Sequence, residues 1–286
     1  MRGGISVVVE GTTVVSLETA PPLAAKVLDG PVLDGRALAG PVLVVVGSAA
    51  GLLEGDRVFL RVSLGPGARL TVITTAATIA HPCPGSGSTA LEVECHLGPD
   101  ARLTWLPEPL IACGGCRHIS RSRLWLASGA AAVWLEACTL GRTGEEPGSV
   151  EQRFDVELEG RPLLRESLGV AVGPAVPAGP GPGVGLGVGL GSGLGPAGSW
   201  GGPAVLSPAG SWGGPAVLGR ARHLASLHLL GRRLDADVPG VMTLAGPGAT
   251  ARMVANRAEE LARRLAVIEP IFLNTLQPAK EAPVHA

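Results

Sequence analysis

The side chains of this sequence that are best suited to chemistry form two sets. The first is soft: the string CGGCRH at Cys113–His118, with His81, Cys83, Cys95 and His96 at the ends of neighbouring predicted strands. Thiolate and imidazole groups suit zinc, but four ligands at the usual paired spacing are absent. The string is one residue away from a haem-attachment CxxCH, and Arg117 interrupts it. The competing interpretation is small apolar thiols around a turn that needs glycine. The second set is hard: carboxylates in apolar surroundings. Asp56 follows the turn GLLEGD, Glu136 sits in AVWLEACTLGR, and Glu166 closes RPLLRE. Strand carboxylates ordinarily face water. Glu136 fits that pattern poorly, because Trp134, Leu135, Ala137 and Cys138 surround it with a near-continuous apolar strand. A buried carboxylate costs several kcal/mol unless it is paired, hydrated or metal-bound, so Glu136 needs a partner. Arg142 is the nearest candidate in sequence.

Enzyme signatures are missing. GPGA at Gly65–Ala68 lacks the lysine and the strand-turn-helix setting of a phosphate loop, and neither a GxSxG elbow nor an HExxH helix occurs. No motif or spacing suggests a nucleophile paired with a base, so the expectation is a protein that is not an enzyme. The formal charge of −1 argues against a nucleic-acid binder driven by phosphate neutralisation. With 46% hydrophobic and 16% charged residues, the chain is not a wholly disordered one. No apolar stretch reaches the length of a membrane span, and the first residues meet Glu10 too soon for a signal peptide, so a cytoplasmic location is expected. The odd cysteine count of five agrees with free thiols rather than a disulfide framework.

The elements that must hold these groups are mostly strands. The 43 Gly and 25 Pro favour many turns over a helical bundle. Three segments share one pattern: VSLGPGARLTVI at Val62–Ile73, CHLGPDARLTWL at Cys95–Leu106 and LWLASGAAAVWL at Leu124–Leu135. Each is an alternating run, a tight turn at Gly67, Asp100 or Gly129, and a second alternating run, as expected for two half-buried strands joined by a short reversal. Self-similarity at this period predicts stacked β units sharing one core. A further pair is expected at Phe154–Leu158 and Leu163–Leu168. Helical spacing is expected only over Arg252–Val267, with Met253, Val254, Leu261 and Leu265 on one side and Glu259/Arg263 and Glu260/Arg264 on the other.

The fold class is therefore mainly β: a stacked β-hairpin, superhelical, β-solenoid-like body with a C-terminal α-helix. Three regions are expected: a β-rich body over 1–170, a flexible insert over 171–219, and C-terminal strands and helix over 220–286 that pack back on the same body. From Ala171 to Gly219 there are 17 Gly and 8 Pro, and PAGSWGGPAVL occurs at Pro196–Leu206 and again at Pro208–Leu218. Such a run gains too little burial to offset its ordering entropy.

Four strings in order, GLLEGDRV (Gly51–Val58), the pair GARLTVITTAAT and DARLTWLPEPLI (Gly67–Thr78 and Asp100–Ile111), LGRTGE (Leu140–Glu145) and EGRPLLRE (Glu159–Glu166), closely resemble the urease accessory protein family UreD, also called UreH. The similarity runs from about Val7 to Val170 and resumes from Arg220 to Leu276. The resemblance implies a non-enzymatic chaperone that binds apo-urease subunits and UreF, with the GTPase UreG docked through UreF. It also implies nickel in transit through a water-filled path, with no tightly bound cofactor, no nucleic acid and no membrane. Carried over motif by motif, Asp56, Thr78, Glu136 and Glu166 are expected to line that path. Two other classes stay open: a metal-storing or metal-sensing protein using His81, Cys83, Cys113, Cys116 and His118, and a β-solenoid interaction module without a metal role.

Overall fold

A computed structural model describes residues 1–28, 32–33, 36–37, 40–170, 218 and 221–276. The Gly/Pro-rich insert with its duplication, apart from Leu218, lies outside the described residues. Two sheets stack face to face. The first, of seven strands, is ordered β16 (Arg161–Val170), β15 (Ser149–Leu158), β13 (Arg117–Leu126), β10 (Thr89–Leu97), β7 (Arg57–Leu64), β1 (Arg2–Glu10) and β2 (Thr13–Thr19). The second runs β18 (Val241–Thr243), β19 (Gly248–Ala255), β17 (His223–Leu230), β14 (Ala131–Leu140), β11 (Arg102–Leu106), β8 (Arg69–Thr74), β6 (Val42–Gly47) and β3 (Leu23–Leu28), with β12 (Leu110–Ala112) and β9 (Thr78–Ala80) joined at its side. A two-stranded ribbon of β4 (Val32–Leu33) and β5 (Arg36–Ala37) completes the strands. The body is thus mainly β, built of stacked coils, as the repeat predicts.

Within that class, the pairing differs from the expected hairpins. The two strands of each repeat do not pair with each other; the turn is a corner at which the chain passes from the first sheet to the second. Strands of successive coils then pair in parallel, with Val62 beside Cys95, Cys95 beside Leu124 and Leu124 beside Val156 in one sheet. In the other, Val72 lies beside Trp105 and Trp105 beside Trp134. Alternation cannot tell a hairpin from a corner, because both leave one face of each strand buried. The corner residues Gly67, Asp100 and Gly129 all have positive φ, between 57° and 70°. The corners stack by backbone bonds: Gly67 N–H donates to Pro99 O at 2.7 Å and Asp100 N–H to Ser128 O at 3.0 Å.

Antiparallel pairs end the stack, β15 with β16 in one sheet and β14, β17, β19 and β18 in the other. A helix, α1 (Ala258–Leu276), covers the outer face of that second group, burying Leu261, Ile268, Phe272 and Leu276 against Ala225, Leu227, Leu229, Ala249 and Ala251. The helix starts later than the sequence spacing suggests. Met253 and Val254 belong to β19, whose alternation sends Met253 to the helix and leaves Val254 exposed. The expected Glu260–Arg264 pair is present. Among the described residues no helix is long and apolar enough to cross a membrane.

Candidate functional site

Between the sheets the inward positions of several strands change character at one level. On β14 the inward residues run Trp134, Glu136, Cys138; on β15, Phe154, Gln152, Val150; on β17, Leu230, His228, Ser226, Leu224. Trp134, Phe154 and Leu230 belong to one apolar cluster, and Cys138, Val150 and Leu224 to another. On β13, Ser122, Ser120 and His118 are the inward residues beyond Leu124, and on β16 Glu166 lies between Leu164 and Leu168. A polar seam therefore crosses the body between two greasy ends. Register assembles it: Ser120 lies beside Gln152, Glu136 beside Ser226, and Ser226 beside Arg252 of β19. A stack of rings, Trp105 on Trp134 at 4.7 Å and Trp134 on Phe154 at 4.9 Å, floors it on one side.

Buried polar groups need partners; several of the seam find them within it, whereas Glu166 Oε2 and the Nε2 atoms of His118 and His228 make no hydrogen bond among the described residues. Glu136 Oε1 accepts from Ser122 Oγ–H at 3.0 Å and from Trp134 Nε1–H at 3.4 Å. Arg142 is not its partner; that guanidinium pairs with Glu145 at 3.0 Å, three residues on, where the surface turn after β14 brings the two together. Burial, with the nearby Glu166 charge, pushes the Glu136 carboxyl up to about 7, against the pull of its two hydrogen bonds. Glu166 Oε1 accepts from Ser226 Oγ–H at 3.2 Å, and Arg252 Nη2 lies 2.9 Å from Oε2. His228 stands behind this pair, Nδ1 bonded to Thr250 Oγ1 at 2.9 Å and Nε2 3.8 Å from Glu166 Oε2. Burial holds its imidazole neutral, with a pKa of about 4.

Glu136 and Glu166 line one cavity of about 180 Å³ together with Gln152, Ser167, Ser226 and Arg252, under an apolar rim that includes Leu224 and Val254. This is room for several waters. A second cavity of about 100 Å³ takes in Thr74, Thr78, Glu108, His118, Ser120 and Ser122, and Glu136 and Gln152 stand in the walls of both. The sequence shows why space opens there. Pro107 and Pro109 have no N–H to give to a ladder, so the strand pairing that β11 begins is broken and resumes only at β12. The neighbouring coil is interrupted at Thr75–Ala77, and Glu108 N–H spans the gap to Thr74 Oγ1 at 2.8 Å.

Of the four carried-over residues, three border these two cavities: Glu136 both, Glu166 the larger and Thr78 the smaller. Asp56 lines neither. Its carboxylate holds the Met1 ammonium and the Leu53 N–H at 2.9 Å. Burial opposes its charge, but those bonds outweigh burial and keep its pKa below the usual range. Sequence reasoning missed Ser122, Gln152, Ser226, His228 and Arg252. A signal existed for some of them. In RHISRSRL the buried positions His118, Ser120 and Ser122 are all polar, and Gln152 falls in phase with Val150 and Phe154.

All five cysteines are buried, Cys116 and Cys138 in the end cluster and Cys95 in the main core. Cys113 and Cys116 flank a turn in which Cys116 N–H donates to Cys113 O at 3.0 Å and Gly115 has φ 71°. Burial pushes the Cys116 and Cys138 thiols up to about 12, so they stay protonated. Among the described residues, no three His, Cys, Asp or Glu side chains gather as a metal set.

Comparison with known proteins bears on the whole chain. A family profile described as UreD urease accessory protein matches residues 7–275. The chain is 36% identical over 169 residues to the urease accessory protein UreD of Streptomyces avermitilis, covering 59% of this chain and 64% of that protein. It is 35% identical over 169 residues to the Streptomyces coelicolor protein of the same description, covering 59% and 63%. With the Parafrankia sp. protein so described it shares 31% over 240 residues, covering 83% and 78%. The matched part spans just under two thirds of the length of each Streptomyces relative.

Proposed function

The chain belongs to the UreD family of urease accessory proteins, and on that premise we propose that it is a non-catalytic scaffold for urease maturation that passes nickel between its sheets. In this reading it works in the cytoplasm, bridges apo-urease subunits to UreF and through UreF to UreG, and holds no resident cofactor. The observation that carries the conduit is the pair of cavities sharing Glu136 and Gln152, with Glu166 at one end and Thr78 in the other.

The donor chemistry supports transit rather than storage. Nickel stands high in the divalent affinity series and is held firmly by thiolate and imidazole. The seam offers carboxylates, hydroxyls and an amide, each able to replace a water and release the ion again. Protonated thiols are poor nickel ligands, so the buried cysteines beside the path do not trap it. Two carboxylates in a low-dielectric body also lower the barrier for a dication, which bare apolar walls would exclude.

The test is co-expression of Glu136→Ala or Glu166→Ala with the urease subunits and the other accessory proteins. Both variants are expected to be pulled down in the same complex as the unmodified chain, while nickel in the purified urease falls. Undiminished nickel in both variants would remove the conduit.

A further inference from the structure

The carboxylate at the edge of the larger cavity is already occupied by a positive charge. Arg252 reaches it from the solvent side: its side chain is 42% exposed, whereas that of Glu166 is 13% exposed. Glu166 is the acidic partner of Arg252 among the described residues; Ser226 donates to the carboxylate, and the neutral His228 stands 3.8 Å from it without a hydrogen bond. Remove Arg252, and Glu136 and Glu166 face one space with room for several waters and hydroxyls around it, a set that would retain a divalent cation. With Arg252 present, one of the two negative charges is answered before any ion arrives. A guanidinium stays charged at every relevant pH, and its long stem, half in water, lets it leave and return without unfolding anything.

We propose that Arg252 is a competing cation built into the cavity mouth, occupying the side of Glu166 that an entering divalent ion needs, so that the ion passes by displacing it and is not retained. This rests on the conduit reading and deepens it: Arg252 is a positioning residue that sets how weakly the path binds its cargo. Removing a single positive charge a few ångströms from a dication changes their interaction by enough for at least a tenfold change in affinity.

The test is a double-mutant cycle on the purified full chain, reading Ni²⁺ affinity by calorimetry with nickel chloride alone. Arg252→Gln is expected to tighten Ni²⁺ binding at least tenfold, and Arg252→Gln combined with Glu166→Gln to return it to the starting value. Arg252→Lys, which keeps the charge, stays within about threefold of the unmodified chain. Glu166→Gln alone is expected to weaken Ni²⁺ binding at least tenfold, because it removes the carboxylate the entering ion takes over and leaves the Arg252 charge unanswered. Unchanged affinity in a folded Arg252→Gln variant would overturn the inference. If that variant does not fold, an affinity within threefold of the unmodified chain in Glu166→Gln alone would overturn it instead. Failure of the conduit reads differently: urease nickel then stays normal in Glu136→Ala and Glu166→Ala, whatever the cycle shows.

Discussion

Replacing Glu136 by Gln tests whether the central carboxylate is kept at the expense of stability. Gln keeps the size and can accept the same hydrogen bonds from Ser122 and Trp134. It removes only the charge. The folded carboxyl titrates at about 7 against an ordinary 4.5. Its folded pKa is raised, so its favourable proton binding is fully present below about pH 4.5 and is lost as pH rises through 7. The full displacement corresponds to about 3 kcal/mol. Glu136 borders a cavity and is not wholly shut off from water, so screening reduces the effect to about 1–2 kcal/mol. At pH 8 the Gln variant should therefore be more stable than the unmodified chain by about 1–2 kcal/mol, or about 4 °C in Tm, and at pH 5 nearly equal to it. Urea unfolding at both pH values measures this, with the m-value checked for constancy. A Gln variant that is less stable at pH 8, or whose effect does not change with pH, would refute the claim that burial strains this group. The same variant should lower urease nickel, separating the cost of the residue from its use.

Two further outcomes follow from buried groups outside the carboxylate pair. His118 and His228 are fully buried and held neutral with pKa values of about 4. Their folded values are depressed, so the unfolded chain takes up their protons first and stability falls as pH drops from about 6.5 toward 4. Between pH 7 and pH 5 the two should together cost about 3 kcal/mol, seen most clearly in the Glu136→Gln background, where the opposing titration of Glu136 is gone; a flat profile there would contradict their burial as neutral rings. Gly148→Ala should destabilise by about 2–3 kcal/mol, since its new methyl would sit 2.4 Å from Cys113 O and from Cys116 Sγ, with backbone on one side that cannot yield. A thermal melt within 2 °C of the unmodified chain would show that the turn is looser than described.

The polar seam is flanked by apolar clusters rather than spread through the body. Trp134, Phe154 and Leu227 are almost completely buried on either side of or behind it, and this packing keeps the seam narrow while the broken ladder at Pro107 and Pro109 keeps it open. The soft donors Cys116 and Cys138 are packed into the apolar end as thiols.

Much of this was legible before any coordinates. The turn residues Gly67, Asp100 and Gly129 announce repeated two-strand units because a left-handed corner and a buried alternation are local demands on residue type. Glu136 is conspicuous for the same reason: its apolar neighbours leave a charge nowhere to go, whatever the fold. Non-local matters were different. Whether Gly67 starts a hairpin or turns a corner depends on which strand Leu64 pairs with, and alternation is the same in both cases. Arg252 looked like the start of a helix because its neighbours carry a spacing that a strand with one face on α1 also produces. Sequence proximity offers Glu136 only the nearest arginine, Arg142, as a candidate partner, yet its donors come from Ser122 on the opposite sheet and Trp134 on its own. Composition and period thus determine that strands stack and that certain carboxylates are buried. Only the register of β13, β14, β15, β17 and β19 decides that Ser122, Gln152, Ser226 and Arg252 meet those carboxylates, because contact across a sheet depends on pairing offsets that no stretch of sequence encodes alone.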